Sequence, residues 1–146
     1  MPPMKPSLAI RLTDSDVLEA LALRSGMCVA EVGAARFPEA IERAVGPQGS
    51  VMAADTSSMS GLPDACCDRV LMTNVWLEAG DPLEVLREAA RLLRPDGRLV
   101  IIESRVEFPE LLKILENNCW DVFRHGEAGA QCYFIEAGVS DESVQS

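Results

Sequence analysis

Two carboxylates and a glycine stand out first. Glu31 and Gly33 fall at the end of the short apolar run 27–32, and Asp55 follows a second run, 50–54. A glycine directly after a buried strand lets backbone approach a ligand closely. A carboxylate at the end of the next strand can accept both hydroxyl hydrogens of a ribose, and Asp55 lies 22 residues after Gly33, a spacing that suits this. Each acid also has a plainer reading. Asp55 can be a strand-end turn carboxylate, and Glu31 can meet a helix dipole or a lid.

Asn74 ends a third run, 68–73, as a polar group beside a ligand or as a turn cap. Trp76 either walls a site or packs in the core. Glu103 and Ser104 end a fourth run, 98–103, and are weaker candidates. The single histidine, His125, sits in a C-terminal hairpin and reads as a surface turn residue rather than a general base. No catalytic residue is singled out. Neither a Gly-Lys-Ser/Thr phosphate loop nor a Cys-x-x-Cys pattern occurs, so no metal site is expected. The five cysteines are Cys28, Cys66, Cys67, Cys119 and Cys132. An odd count without a secretion signal points to reduced thiols. Adjacent Cys66 and Cys67 could bind a thiophile such as an arsenical; otherwise they are two thiols, one packed inward.

The elements that must position these residues alternate. Thr13-Asp14-Ser15 caps a helix carrying Val17, Leu18 and Leu21. Pro38 opens a second helix with Ile41, Ala44 and Val45 on one side. Asp81-Pro82 opens a third, whose Leu83, Leu86, Ala90 and Leu93 form one stripe, with Arg87, Arg91 and Arg94 off it and solvated. Pro95-Asp96-Gly97 ends it. Residues 108–117 form a fourth helix. Segments 120–123 and 131–135 finish as two strands around a turn from Gly126 to Gly129. The order predicts a three-layer, Rossmann-like α/β fold. Its mostly parallel sheet has about six strands, with an antiparallel strand at the C-terminal end.

The chain has 146 residues, enough for a single domain over 1–146 with frayed ends at 1–8 and 139–146. Apolar residues make up 48% and charged residues 25%, which suits a packed core. With 13 basic against 23 acidic residues the net charge is −10, so a phosphate backbone is repelled and nucleic acid is not an expected partner. No apolar run approaches the roughly 18 residues of a membrane helix, and the proline-rich start has no signal-peptide core. A cytoplasmic protein meeting a small molecule or another protein is expected.

Four segments resemble class I S-adenosylmethionine (SAM)-dependent methyltransferases of the ubiquinone-biosynthesis type. Residues 23–33 (LRSGMCVAEVG) are similar to the family's L-x-x-G-x-x-V-x-D/E-x-G entry. Residues 46–55 (GPQGSVMAAD) are similar to GP-x-G-x-V-x-A-x-D. Residues 62–75 (LPDACCDRVLMTNV) look like LP-D-x-x-x-D-x-V-x-x-x-x-V, and residues 92–101 (LLRPDGRLVI) look like LLKPGGRLVI. The resemblance implies SAM as cofactor, with Asp55 on the ribose and Glu31, Gly33 and Ala35 under the methionine moiety. It also places Asn74 near the transferred methyl.

Two departures accompany it. The family's D/E-x-G-x-G-x-G loop has Ala35 at its second glycine and Phe37 at its third. Phe37 must re-route the loop or fill part of the pocket. Only 13 steps separate Asp55 from Asp68, too few for the helix and third strand that the family places there. The sheet is therefore expected to lack its usual third strand. That leaves 50–54 as an open edge which a second copy would cover, as a homodimer; sedimentation as a monomer at micromolar concentration would exclude this. Two functions stand side by side. One is methyl transfer from SAM to a small-molecule acceptor. The other is a non-catalytic binding or oligomerisation module that has lost SAM.

Overall fold

The computed structural model describes residues 12–33, 37–129 and 131–140. Helix α1 (Asp14–Leu21) starts at a reciprocal cap: the Thr13 hydroxyl accepts from Asp16 N–H and the Asp16 carboxylate accepts from Thr13 N–H. Strand β1 (Cys28–Gly33) follows, then α2 (Pro38–Val45) and β2 (Ser50–Ala54). One 3-10 turn, Met59–Gly61, leads to β3 (Cys67–Thr73). Helix α3 (Pro82–Leu92), β4 (Leu93–Glu103), α4 (Phe108–Glu116), β5 (Trp120–Ala128) and β6 (Cys132–Val139) complete the order.

The six strands run β2-β1-β3-β4-β6-β5 across one sheet. β1 pairs parallel with β2 and β3, and β3 pairs parallel with β4. β6 runs antiparallel to both β4 and β5. The expected α/β class and its single antiparallel strand are observed. Beyond β2 no further strand is added among the described residues. The link from Asp55 to β3 is instead pinned by buried Met59 and by Arg91, which donates to Met59 O, Leu62 O and the Asp64 carboxylate. Arg91 therefore belongs to the fold and not to the solvated face expected of it.

Alternation along the strands sorts the core into two layers. Ala30, Val32, Val70, Met72, Leu99 and Ile101 pack with α3 and α4. Val29, Leu71, Val100 and Ile102 pack with α1 and α2. No helix among the described residues is long and apolar enough to cross a membrane.

Two boundaries differ from the sequence reading. Pro95-Asp96-Gly97 is an excursion inside β4, where the pairing jumps from Leu93 opposite Cys67 to Arg98 opposite Arg69. Gly126 is not a turn residue but lies within β5 opposite Phe134. A Cβ there would come within 3.1 Å of the Phe134 ring, so the glycine makes room for an aromatic side chain. The hairpin is accordingly longer, and its tip falls after Ala128. Val139 is the last residue of β6, and Ser140 N–H reaches Cys119 O. The N-terminal stretch 1–8 and residues 141–146 lie outside the described residues.

Candidate functional site

In an open α/β sheet, ligands bind outside the carboxyl ends of the parallel strands. Register brings four of these ends together here. Gly33 of β1 sits opposite Thr73 of β3, Thr73 opposite Ile102 of β4, and Val32 opposite Ala54 of β2. Asp55, Asn74 and Glu103 each stand at or just past such an end.

Glu31 is fully buried, and its carboxylate accepts the backbone N–H of Phe37. It thus meets the chain where α2 begins, the favourable end of the helix dipole. Phe37 is half-buried against the α1/α2 core layer, so its ring belongs to that packing. Ala35 lies outside the described residues.

Gly33 adopts φ +122°, and a Cβ there would lie 2.6 Å from Thr73 O. The glycine is therefore required by the close approach of β3 as well as by any ligand.

Asp55 is exposed at the end of β2. Its Oδ1 accepts from Ser57 N–H at 3.0 Å, the Ser57 hydroxyl at 2.7 Å and Ser58 N–H at 2.9 Å. Hydrogen bonds from Ser57, then Ser58, hold its carboxyl below the usual carboxylate range, so the side chain is ionised at neutral pH. The turn fixes one oxygen. An ionised carboxylate held this way presents fixed acceptor lone pairs to a pair of hydroxyls.

Asn74 is buried in the left-handed region at φ +51°. Its Oδ1 accepts from Ser104 N–H at 2.8 Å and the Ser104 hydroxyl at 3.2 Å, tying the end of β3 to the end of β4. Arg105 adds a bond to Asn74 O at 2.7 Å.

One feature of this edge is not visible in the motifs. Asn74 Nδ2, Thr73 Oγ1, Trp76 Nε1 and Glu103 Oε1 are buried without a protein partner, in residues no more than 6% exposed. An unpaired buried polar group costs about 1–3 kcal/mol. Four within one segment of two adjacent strand ends is a concentration that packing alone does not require. Burial pushes the Glu103 carboxyl up, against an opposing hydrogen bond from Arg105 N–H at 2.9 Å. Tyr133, opposite Glu103 in β6, donates to Val106 O, and its phenol is also pushed up by burial. Thr73 was missed by sequence reasoning, because a threonine closing a strand looks like any β-former.

Trp76 packs its ring in the α3/α4 core layer while its Nε1 belongs to the unpartnered set; the remaining candidates fall elsewhere. His125 is exposed on β5, its ring 4.9 Å from that of Phe108. Cys66 and Cys67 lie at the amino end of β3, roughly 20 Å of strand away from Thr73 at ~3.3 Å per residue. They are therefore not beside Asp55, and a cysteine-based transfer at the ligand edge is set aside. A cleft of about 160 Å³ lined by Leu86, Arg87, Ala90, Asn118, Trp120 and Val139 also opens at the amino edge. It is smaller than the roughly 300–1,000 Å³ of small-molecule pockets.

An open, mostly parallel α/β sheet with carboxylates and an amide gathered at its carboxyl edge is the plan of a small-molecule-binding α/β domain. The model of a family described as a methyltransferase domain matches residues 16–101, more than half of the chain. The chain belongs to that methyltransferase-domain family.

Solved structures agree on the fold. A SAM-dependent methyltransferase from Aquifex aeolicus superposes with a TM-score of 0.72 at 23% identity, covering 91% of this chain and 93% of that one. A 1,6-didemethyltoxoflavin-N1-methyltransferase from Burkholderia thailandensis, solved with 1,6-didemethyltoxoflavin and S-adenosylhomocysteine, gives a TM-score of 0.61 at 19% identity, with 93% and 80% covered. The cyclase SpnF gives 0.60 at 19% identity, with 81% and 59% covered. A cyclase on the same fold shows that the fold alone does not fix the chemistry. No curated protein matches the sequence.

Proposed function

We propose that the chain is a SAM-dependent methyltransferase acting on a small-molecule acceptor, of the ubiquinone-biosynthesis type by its four motif segments. The observation that carries this over a bare scaffold is the set of unpartnered polar atoms on Thr73, Asn74, Trp76 and Glu103. A domain kept only for its shape gains nothing from them, whereas an acceptor site needs donors and an acceptor aimed at a ligand. The same observation is the test of fit for the cofactor: the edge holds an ionised carboxylate at β2 and unmet hydrogen-bonding groups beside it.

When bound, SAM supplies an electrophilic methyl group on a sulfonium centre. The chain's own residues do the rest. Asp55 accepts hydrogen bonds from the ribose hydroxyls. Glu31 fixes the start of α2 through the Phe37 N–H, at the end of the glycine segment that would lie under the methionine moiety. Asn74 Nδ2 and Trp76 Nε1 donate to the acceptor and orient it, which is where most of the rate gain from positioning arises. Glu103 Oε1 takes the proton of the acceptor's hydroxyl or amine, and burial, by raising its carboxyl pKa, makes it a stronger base than a free glutamate.

A second reading, a non-catalytic module, is favoured by the open edge of β2, where a second copy of the chain would pair. Calorimetric titration with SAM and S-adenosylhomocysteine separates the two. Expected is micromolar binding, weakened at least about tenfold in Asp55→Ala, since a charge-assisted hydrogen bond is worth ~1.5–3 kcal/mol. Absence of binding up to millimolar ligand in a folded sample overturns the enzyme reading. Binding indifferent to Asp55→Ala overturns the ribose assignment.

A further inference from the structure

Thiols gather at the amino edge of the sheet, opposite the proposed methyl-transfer edge. Cys66 Sγ and Cys67 Sγ lie 3.3 Å apart, both reduced. Cys66 is half-buried and Cys67 buried, so the pair can be entered from one side. The backbone beneath is rigid. Ala65 N–H donates to Arg91 O at 2.8 Å and Cys66 N–H to Leu92 O at 2.9 Å, and Cys67 pairs with Leu93. Arg94 closes the other side, donating to Ala65 O at 3.3 Å and to the Asp68 carboxylate at 2.8 Å.

Three chemistries suit two neighbouring sulfurs, and the spacing discriminates among them. A disulfide brings adjacent residues into conflict: their Cα atoms are about 3.8 Å apart across a trans peptide, below the roughly 4.4–6.8 Å that disulfides span. Two thiolates on a tetrahedral zinc, at ~2.3 Å each, stand about 3.8 Å apart. No group of three or more His, Cys, Asp or Glu residues suited to a metal ion occurs among the described residues. A trivalent pyramidal centre subtends a narrower angle than a tetrahedral one and holds its two sulfurs closer.

We propose that Cys66 and Cys67 form a dithiol site that captures a trivalent arsenical. The reaction is a condensation without change of oxidation state. An arsine oxide loses its arsenic–oxygen bonds, two arsenic–sulfur bonds form, and the two S–H protons leave with the oxygen as water. Attack starts at the half-buried Cys66, and ring closure on Cys67 completes the chelate. Burial, with Cys66 beside it, pushes the Cys67 thiol up and keeps it protonated, which the condensation accommodates because both protons depart in water. The capture is independent of the methyl-transfer reading: it occurs at the far end of β3 and uses none of the same residues.

The test uses the full reduced chain, phenylarsine oxide as probe, and intact-mass spectrometry after challenge with excess glutathione. Expected is one retained adduct per chain, heavier by the arsenical less one water. It is stripped by 2,3-dimercaptopropanol and reduced by more than about tenfold in Cys66→Ala and Cys67→Ala. Cys28→Ala, on neighbouring β1, retains it. Should Cys67→Ala fail to fold, the half-buried Cys66→Ala decides alone. Loss of the wild-type adduct to glutathione, or its retention in folded Cys66→Ala, overturns the proposal.

Discussion

Arg69 and Thr73 stand four residues apart in one strand and meet opposite fates. Arg69, near the amino end of β3, is buried, yet it donates to Leu21 O at 2.9 Å, Asp68 O at 3.0 Å and Ala22 O at 3.4 Å. Around it Arg94 meets Asp68, and Arg91 meets Glu88, Asp64 and two carbonyls. Thr73, at the carboxyl end, has a buried hydroxyl with no protein partner, and Asn74, Trp76 and Glu103 share that condition. The amino edge spends its polar groups on the fold. The carboxyl edge leaves them unmet, as a ligand-binding edge does at a cost in stability. The cost of the guanidinium's burial lowers the Arg69 pKa without threatening its charge.

The contrast is breakable at both ends. The largest effect is expected from Arg69→Met. It strips three hydrogen bonds from carbonyls in a buried setting, and urea denaturation should report a loss of about 3 kcal/mol. A loss under about 1 kcal/mol would mean that the amino edge is not held by these bonds.

Glu103→Gln should act in the opposite direction. The folded carboxyl has a pKa raised above the ordinary 4.5 of a glutamate, chiefly by burial. The folded state therefore binds more protons than the unfolded state as pH rises from about 4.5, and stability falls across that window. The glutamine keeps an acceptor for Arg105 N–H and removes the buried charge. Denaturation at pH 8 should show a gain on the order of 1 kcal/mol, and the decline with pH should flatten, while turnover drops. A wild-type stability that does not decline between pH 5 and pH 8, or one that declines equally in Glu103→Gln, removes the proton-linked role.

The smallest effect is expected from Thr73→Val. An unpaired buried hydroxyl exchanged for a methyl of like shape should leave stability within about 0.5 kcal/mol or raise it slightly. A clear loss would show that the hydroxyl is paired after all and would narrow the contrast between the edges.

Much of the architecture was legible. Runs of buried apolar residues ending at Gly33, Asp55, Asn74 and Glu103 placed four parallel strands, because strands covered on both faces carry continuous hydrophobic stretches. Pro38 and Asp81-Pro82 marked helix starts correctly, since a fixed φ and a missing N–H suit the first turn. The shortness of the segment after Asp55 foretold an edge at β2. Less legible were the long hairpin and the excursion at Pro95–Gly97. Gly126 looked like a turn because its real constraint, the Phe134 ring, comes from a strand eight residues further on. Arg91 looked solvated because the carbonyls that it binds lie about thirty residues earlier.

The amino-acid sequence by itself determined the layers, the carboxyl ends of the four parallel strands and most of the side chains that stand there. Those depend on local period, caps and breakers, all written within a few residues. Only the tertiary structure decided how each of these side chains is used. It showed Glu31 bonded to Phe37 N–H, Gly33 pressed against β3 and Asp55 braced by two serines. It also left four buried polar atoms without partners. Hydrogen-bond satisfaction is a property of neighbours brought from distant parts of the chain, and only folding chooses those neighbours.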